Sequence, residues 1–103
     1  MAAYIVVRAR VTDPGRFSAY ARLAAALVHQ FGGEYLVLGS SLDVLEGQAD
    51  SRKVVISRWP DKDAARRFWD SSEYQAAKLL RENTGEFEVA LVDGLSAVPS
   101  VGL

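Results

Sequence analysis

The sequence predicts an α+β fold in which one antiparallel sheet carries helices on a single face, and three observations lead there. Short runs rich in β-branched residues are interleaved with longer apolar stripes of helical spacing along the 103 residues. Capping and turn residues fall between those runs rather than inside them. Residue parity in the first and last runs separates a side suited to helices from a side that matches arginines with glutamates.

The first element is "AYIVVRARV", residues 3 to 11, a strand that stops at the turn "TDPG". Asp13 is a natural N-cap there, and Pro14 suits the first helical position, where a missing N–H costs nothing. Phe17, Tyr20, Ala21, Ala24, Leu27, Val28 and Phe31 then recur at three- and four-residue spacing, so one stripe of a helix faces a core until Gly32 stops it. "EYLVL" at 34 to 38 and "LDVLE" at 42 to 46 read as short strands around "GSS", and "KVVISRW" at 53 to 59 as a further main strand ended by Pro60. Asp61 caps a short helix that turns Ala65, Phe68 and Trp69 inward. "DSSEYQAAKLLREN" restarts the helical period, with Asp70 and Glu73 at capping-box spacing. "EFEVALVDG" at 86 to 94 is the last strand.

The order is β-α-β-β-α-β with a broken second helix, the ferredoxin-like split βαβ arrangement. Residues 1–95 are expected to form one domain, and 96–103, "SAVPSVGL", to belong to a loosely held tail. Parity puts Ile5, Val7, Ala9 and Val11 toward the helices and Tyr4, Val6, Arg8 and Arg10 on the other face. One register of the last strand against the first pairs Tyr4 with Val92, Val6 with Ala90, Arg8 with Glu88 and Arg10 with Glu86. Tyr4, Val6, Ala90 and Val92 would then sit in water in a monomer. A homodimer with sheets packed face to face is the expected remedy.

Composition excludes several function classes. The chain is 50% hydrophobic and 24% charged, the balance of a globular domain, and its formal charge of −1 offers no footprint for nucleic acid or an anionic membrane. With no cysteine there is no disulfide, thiolate metal site or cysteine nucleophile, which suits a reducing, cytoplasmic setting. The apolar run at the amino terminus is too short for a membrane span or a signal-peptide core. One histidine among scattered carboxylates predicts no metal site and no catalytic triad, and no cofactor is expected.

Taken as an ordered set, "AYIVVRARVTDP", Tyr20, "FGGEYLVLG", "VLEG", "VVISRWP", "SSEYQAAKLLR" and the final "VDG" resemble the family called domain of unknown function 1330. The resemblance implies a ferredoxin-like dimeric α/β barrel without an established activity. The family usually shows an arginine where Leu38 stands, a second glycine where Ser40 stands and an acidic residue near Arg58. This sequence departs at all three, so a polar site resting on that arginine and acid is not carried over.

Several candidate site residues have a plainer role. Gly32 and Gly33 follow a helix and precede a strand, the reverse of a phosphate loop, and read as a helix stop; Gly39-Ser40-Ser41 reads as a turn or bulge. His29 falls opposite the apolar stripe and is expected in solvent. Ser71 and Ser72 lack a neighbouring base and read as helix-start residues. Four ligand-pocket candidates remain: Tyr20, Arg58, Trp69 and Tyr74. The hydroxyl of Tyr20 needs a partner or a ligand, Trp69 and Tyr74 line a cavity or fill the core with Trp59, and Arg58 binds an organic carboxylate if it points inward. The functions in play are a cofactor-independent enzyme, oxygenase- or isomerase-like, on a small organic substrate; a noncatalytic ligand-binding domain; and a structural dimerisation module.

Overall fold

The computed structural model of the chain describes residues 1–95 and runs β1 (Ala3–Val11), α1 (Pro14–Gln30), β2 (Glu34–Ser41), β3 (Lys53–Trp59), α2 (Lys62–Asp70), α3 (Ser72–Leu79) and β4 (Gly85–Asp93). The four strands form an antiparallel sheet in the order β2-β3-β1-β4. This is the ferredoxin-like α+β arrangement that the element order predicts, with its second helical stretch in two pieces. The tail expected at 96–103 lies outside the described residues.

Helix boundaries follow from side-chain caps. Asp13 Oδ1 accepts a hydrogen bond from the Arg16 N–H at 3.1 Å and Asp61 Oδ1 from the Ala64 N–H at 2.7 Å, each satisfying a donor that the first helical turn leaves free. At the far end of α1 the Gly32 N–H donates to the His29 carbonyl and the Gly33 N–H to the Val28 carbonyl; Gly32 takes φ +92°, where a side chain would clash. The glycine pair is therefore the helix stop that the sequence predicts.

Strand pairing places the register of β1 against β4 as expected, with Tyr4 opposite Val92, Val6 opposite Ala90, Arg8 opposite Glu88 and Arg10 opposite Glu86. On the other side of β1, Ala3, Ile5 and Ala9 are buried beneath the helices. Ala65 and Ala77 bring α2 and α3 close with no exposed surface of their own. Trp59 anchors this layer at 1% exposure, its indole N–H donating to Ser57 Oγ at 2.9 Å, and Phe68 lies tilted between Trp59 and Tyr74 with ring centroids 4.8 and 4.5 Å away.

Two local expectations are corrected. "LDVLE" at 42 to 46 is not a strand: β2 continues through "GSS" to Ser41, and the chain from 42 to 52 is irregular. Gly39 at φ +78° forms a bulge that shifts the register between Leu38 and Ser40, so the strand bends instead of ending. Beyond Ser41, paired with Lys53 at the start of β3, residues 42 to 46 have no strand edge left to join, and alternation without a partner makes no strand. The second correction concerns α3. Asp70 still belongs to α2, and Ser71 is the cap: its hydroxyl accepts from the Tyr74 N–H at 3.1 Å and donates to the Phe68 carbonyl at 2.8 Å.

Candidate functional site

Between the sheet and the helices the core is hollow. Where α1 crosses the sheet it presents Ala21, Ala24 and Ala25, residues too short to reach β1 and β3, and a cavity of about 330 Å³ remains. Val7, Ala9 and Val55 form its floor, and rings stand at its margins: Phe17 and Phe87, stacked at 5.7 Å, Tyr20, Tyr35, Trp69 and Tyr74. Ala25, Leu38 and Gly39 are exposed members of the wall, so the β2 bulge lies at an opening to solvent. The result is an apolar, ring-lined hollow with few polar groups, the usual make-up of a small-molecule site.

Those polar groups are specific. Tyr20 Oη and Tyr74 Oη lie 2.8 Å apart. One hydroxyl must donate to the other, which leaves one phenolic proton of the pair uncommitted. Burial, reinforced by neighbouring Tyr20, pushes the Tyr74 hydroxyl far above its ordinary range, and the same causes push Tyr35 up to about 12. Both phenols therefore stay protonated near neutrality and serve as donors. Ser57 Oγ already accepts the Trp59 indole proton. The guanidinium of Arg81 lies over the rings of Phe87 and Tyr20, 4.4 and 5.2 Å from their centroids, and completes the lining. Among the described residues, no histidine, aspartate or glutamate lines this cavity.

Of the four sequence-predicted pocket residues, Tyr20, Trp69 and Tyr74 line this cavity together. Arg58 does not: it pairs across the sheet with Tyr4, on the face turned away from the helices, and is exposed there beside Asp93 and Gly94. Its alternation with Ile56 and Val54 marks that open face, so parity alone separates it from the others. His29 is exposed on the outer side of α1. Tyr4, Val6, Ala90 and Val92 lie together on the open face, with Val92 44% exposed. Tyr35, Phe87 and Arg81 were not singled out from the sequence. Phe87 was legible, since the β1–β4 register puts it opposite inward-facing Ala9. Tyr35 is obscured by the shifted register of β2, and Arg81, the last residue of "SSEYQAAKLLR", lies beyond the end of α3, where the helical period no longer says which way it faces.

Among the described residues, no group of three or more histidine, aspartate and glutamate side chains is placed to hold a metal ion, and no helix is long and apolar enough to cross a membrane.

With the geometry in place, the chain can be set beside known proteins. The sequence profile of the family described as "Domain of unknown function (DUF1330)" matches residues 2–95. No curated protein shows significant sequence similarity. Among solved structures, a protein of unknown function from Rhodopseudomonas palustris superposes with a TM-score of 0.73 at 16% identity, over 92% of this chain and 83% of that one. SnoaB, a cofactor-independent oxygenase from Streptomyces nogalater, does so with a TM-score of 0.63 at 21% identity, over 96% and 98% of the two chains. A de novo designed protein matches as well, with a TM-score of 0.61 at 17% identity over 91% and 99%. Matches at these identities, to an oxygenase and to a designed chain alike, establish the fold alone.

Proposed function

Since the chain belongs to the domain of unknown function 1330 family, whose description carries no activity, its function must be read from its own residues, and we propose that the cavity is a small-molecule site of a cofactor-independent enzyme, oxygenase- or isomerase-like, that works as a homodimer. The observation that carries this reading is the Tyr20–Tyr74 hydroxyl pair set into the wall of an otherwise apolar, ring-lined cavity. A core built only for packing closes over its aromatic rings, whereas this one leaves about 330 Å³ beside a phenol pair with a proton to give. Such a site stacks a flat ring between Trp69, Phe17 and Phe87, excludes water, and donates a hydrogen bond to a substrate oxygen as it gains negative charge. The likeness in fold to SnoaB supports the oxygenase side of the reading by analogy. The open face supports the dimer, because Tyr4, Val6, Ala90 and Val92 form an apolar end that a second copy would cover.

A second reading has its own support. Among the described residues the lining contains no carboxylate or histidine to act as a general base, which favours a binding domain without turnover unless the substrate arrives already ionised.

Native mass spectrometry of gently purified protein tests the proposal. We expect a dimer carrying one small organic molecule per chain, Tyr20→Phe weakening its retention, and Val6→Asp yielding monomers that keep their helix content. Wild-type protein that stays monomeric would remove the dimer. Protein that retains nothing and binds no aromatic compound in calorimetry would remove the small-molecule site. Saturable binding without substrate loss or oxygen uptake would decide for the second reading.

A further inference from the structure

Among the described residues, Arg81 is the only ionised side chain lining the cavity, and its position is not accounted for by packing of charges. Among the described residues, no carboxylate lies within ion-pair distance of its guanidinium, and its N–H groups make no side-chain hydrogen bond. Arg8, Arg10 and Arg52 meet acids on the open face, and Arg22, Arg58, Arg66 and Arg67 reach solvent, whereas Arg81 lines a cavity without a charged partner. The Arg81 guanidinium instead lies over the rings of Phe87 and Tyr20, half-buried, at the end of the cavity where Phe17 and Phe87 stack. The rings hold the cation by their faces and leave its edge, which carries the donors, for another partner. The cavity's own acids cannot be that partner, because its buried phenols Tyr35 and Tyr74 are held protonated.

We infer that the ligand is a flat aromatic molecule bearing an anionic oxygen group, a carboxylate or an acidic phenol or enol, with its ring between Trp69 and Phe17 and its negative oxygen on the edge of Arg81. This inference rests on the small-molecule reading of the cavity and goes beyond it by naming charge and shape. The positive guanidinium, in surroundings of low polarity, favours the anion over a neutral molecule of the same outline. It also supplies what the lining lacks. With no base in the cavity, a substrate that arrives already ionised needs none. The uncommitted phenolic proton of the Tyr20–Tyr74 pair would hold a second oxygen of the same ligand.

Calorimetric titration with 2-naphthoate and with uncharged 2-naphthamide tests this, because the two share ring and outline and differ in charge. Wild-type protein is expected to bind the acid at least about tenfold more tightly than the amide. Arg81→Met, which keeps a flexible apolar chain against the two rings, should abolish that preference and leave the amide's affinity in place. Equal affinities for acid and amide in the wild type would overturn the anion while leaving the small-molecule site standing. So would an Arg81→Met protein that weakens both ligands equally, since that result assigns Arg81 to packing. If neither compound binds the wild type up to its solubility limit, the small-molecule reading fails and this inference with it. Should Arg81→Met not fold, the salt dependence of the wild type serves instead: added salt should weaken the acid and not the amide, and parallel behaviour of the two would overturn the inference.

Discussion

The two faces of the sheet are organised by different distances along the chain. On the open face, each residue meets the one directly across the strand: Tyr4 with Val92, Val6 with Ala90, Arg8 with Glu88, Arg10 with Glu86. On the covered face, residues from β1, α1, β3, α2, α3 and β4 meet in three dimensions, and between them lies a hollow that no pair of neighbours defines. The first face is a list of pairs, each worth little on its own. The second is a layer in which one ring supports several others, so that both stability and recognition reside there.

The contrast predicts unequal costs for removing a side chain. Phe68 touches Trp59, Phe31 and Tyr74 through ring contacts of 4.8, 6.1 and 4.5 Å, and Phe68→Ala should cost about 3–5 kcal/mol by leaving a void beside an existing one. Val92→Ala, at a half-open site on the other face, should cost less than about 0.5 kcal/mol in the monomer. Urea unfolding of both variants at low protein concentration makes the comparison, and similar losses would erase the distinction between the faces.

A smaller effect separates the faces by pH. Burial holds the Tyr35 phenol at about 12 in the fold against 10.0 in a free side chain. The unfolded chain therefore loses its proton first as pH rises. This contribution to stability is complete below pH 10 and is lost on going from 10 to 12. Tyr35→Phe, whose ring cannot ionise, should lose less melting temperature than the wild type across that interval. Identical alkaline curves for the two proteins would mean that Tyr35 is open to water in solution.

The same contrast of distances explains what could be read from the sequence. Strand order, caps and the β1–β4 register depend on residues a few positions apart or on two-residue parity, and Asp13, Asp61 and the Arg8–Glu88 match were legible for that reason. The aromatic stripe of α1 placed Tyr20 inward, and the periods of the two short helices did the same for Trp69 and Tyr74. That these three surround a space instead of filling one depends on Ala21, Ala24 and Ala25 standing opposite short residues of β1, a relation between elements that no single pattern encodes. A register shift between Tyr35 and Val37 hid Tyr35, and the bulge at Gly39 let the strand run on where a turn was expected. Arg58 shows the limit from the other side: its residue type suggested a ligand, while its parity with Ile56 already placed it across the sheet from the cavity.

A prediction about a single ion pair sharpens the comparison most. Arg8 meets Glu88 at 2.9 Å with the side chains 48% and 61% exposed, and Glu88 also meets Arg52 at 3.0 Å. In a monomer, Arg8→Ala should cost only about 0.2–1 kcal/mol, since the pair is solvated and Glu88 keeps its second arginine. Glu88→Ala removes both contacts and should cost somewhat more, with both losses shrinking in salt. If the open face is covered by a second copy, the balance changes. A glutamate left with one of its two arginines inside a dry interface is less well compensated than in water, and the Arg8→Ala loss would rise to several times the monomer value and grow with protein concentration. Unfolding of Arg8→Ala measured over a wide range of protein concentration therefore reports whether this face meets water or a partner, and a small loss independent of concentration would leave the sheet open.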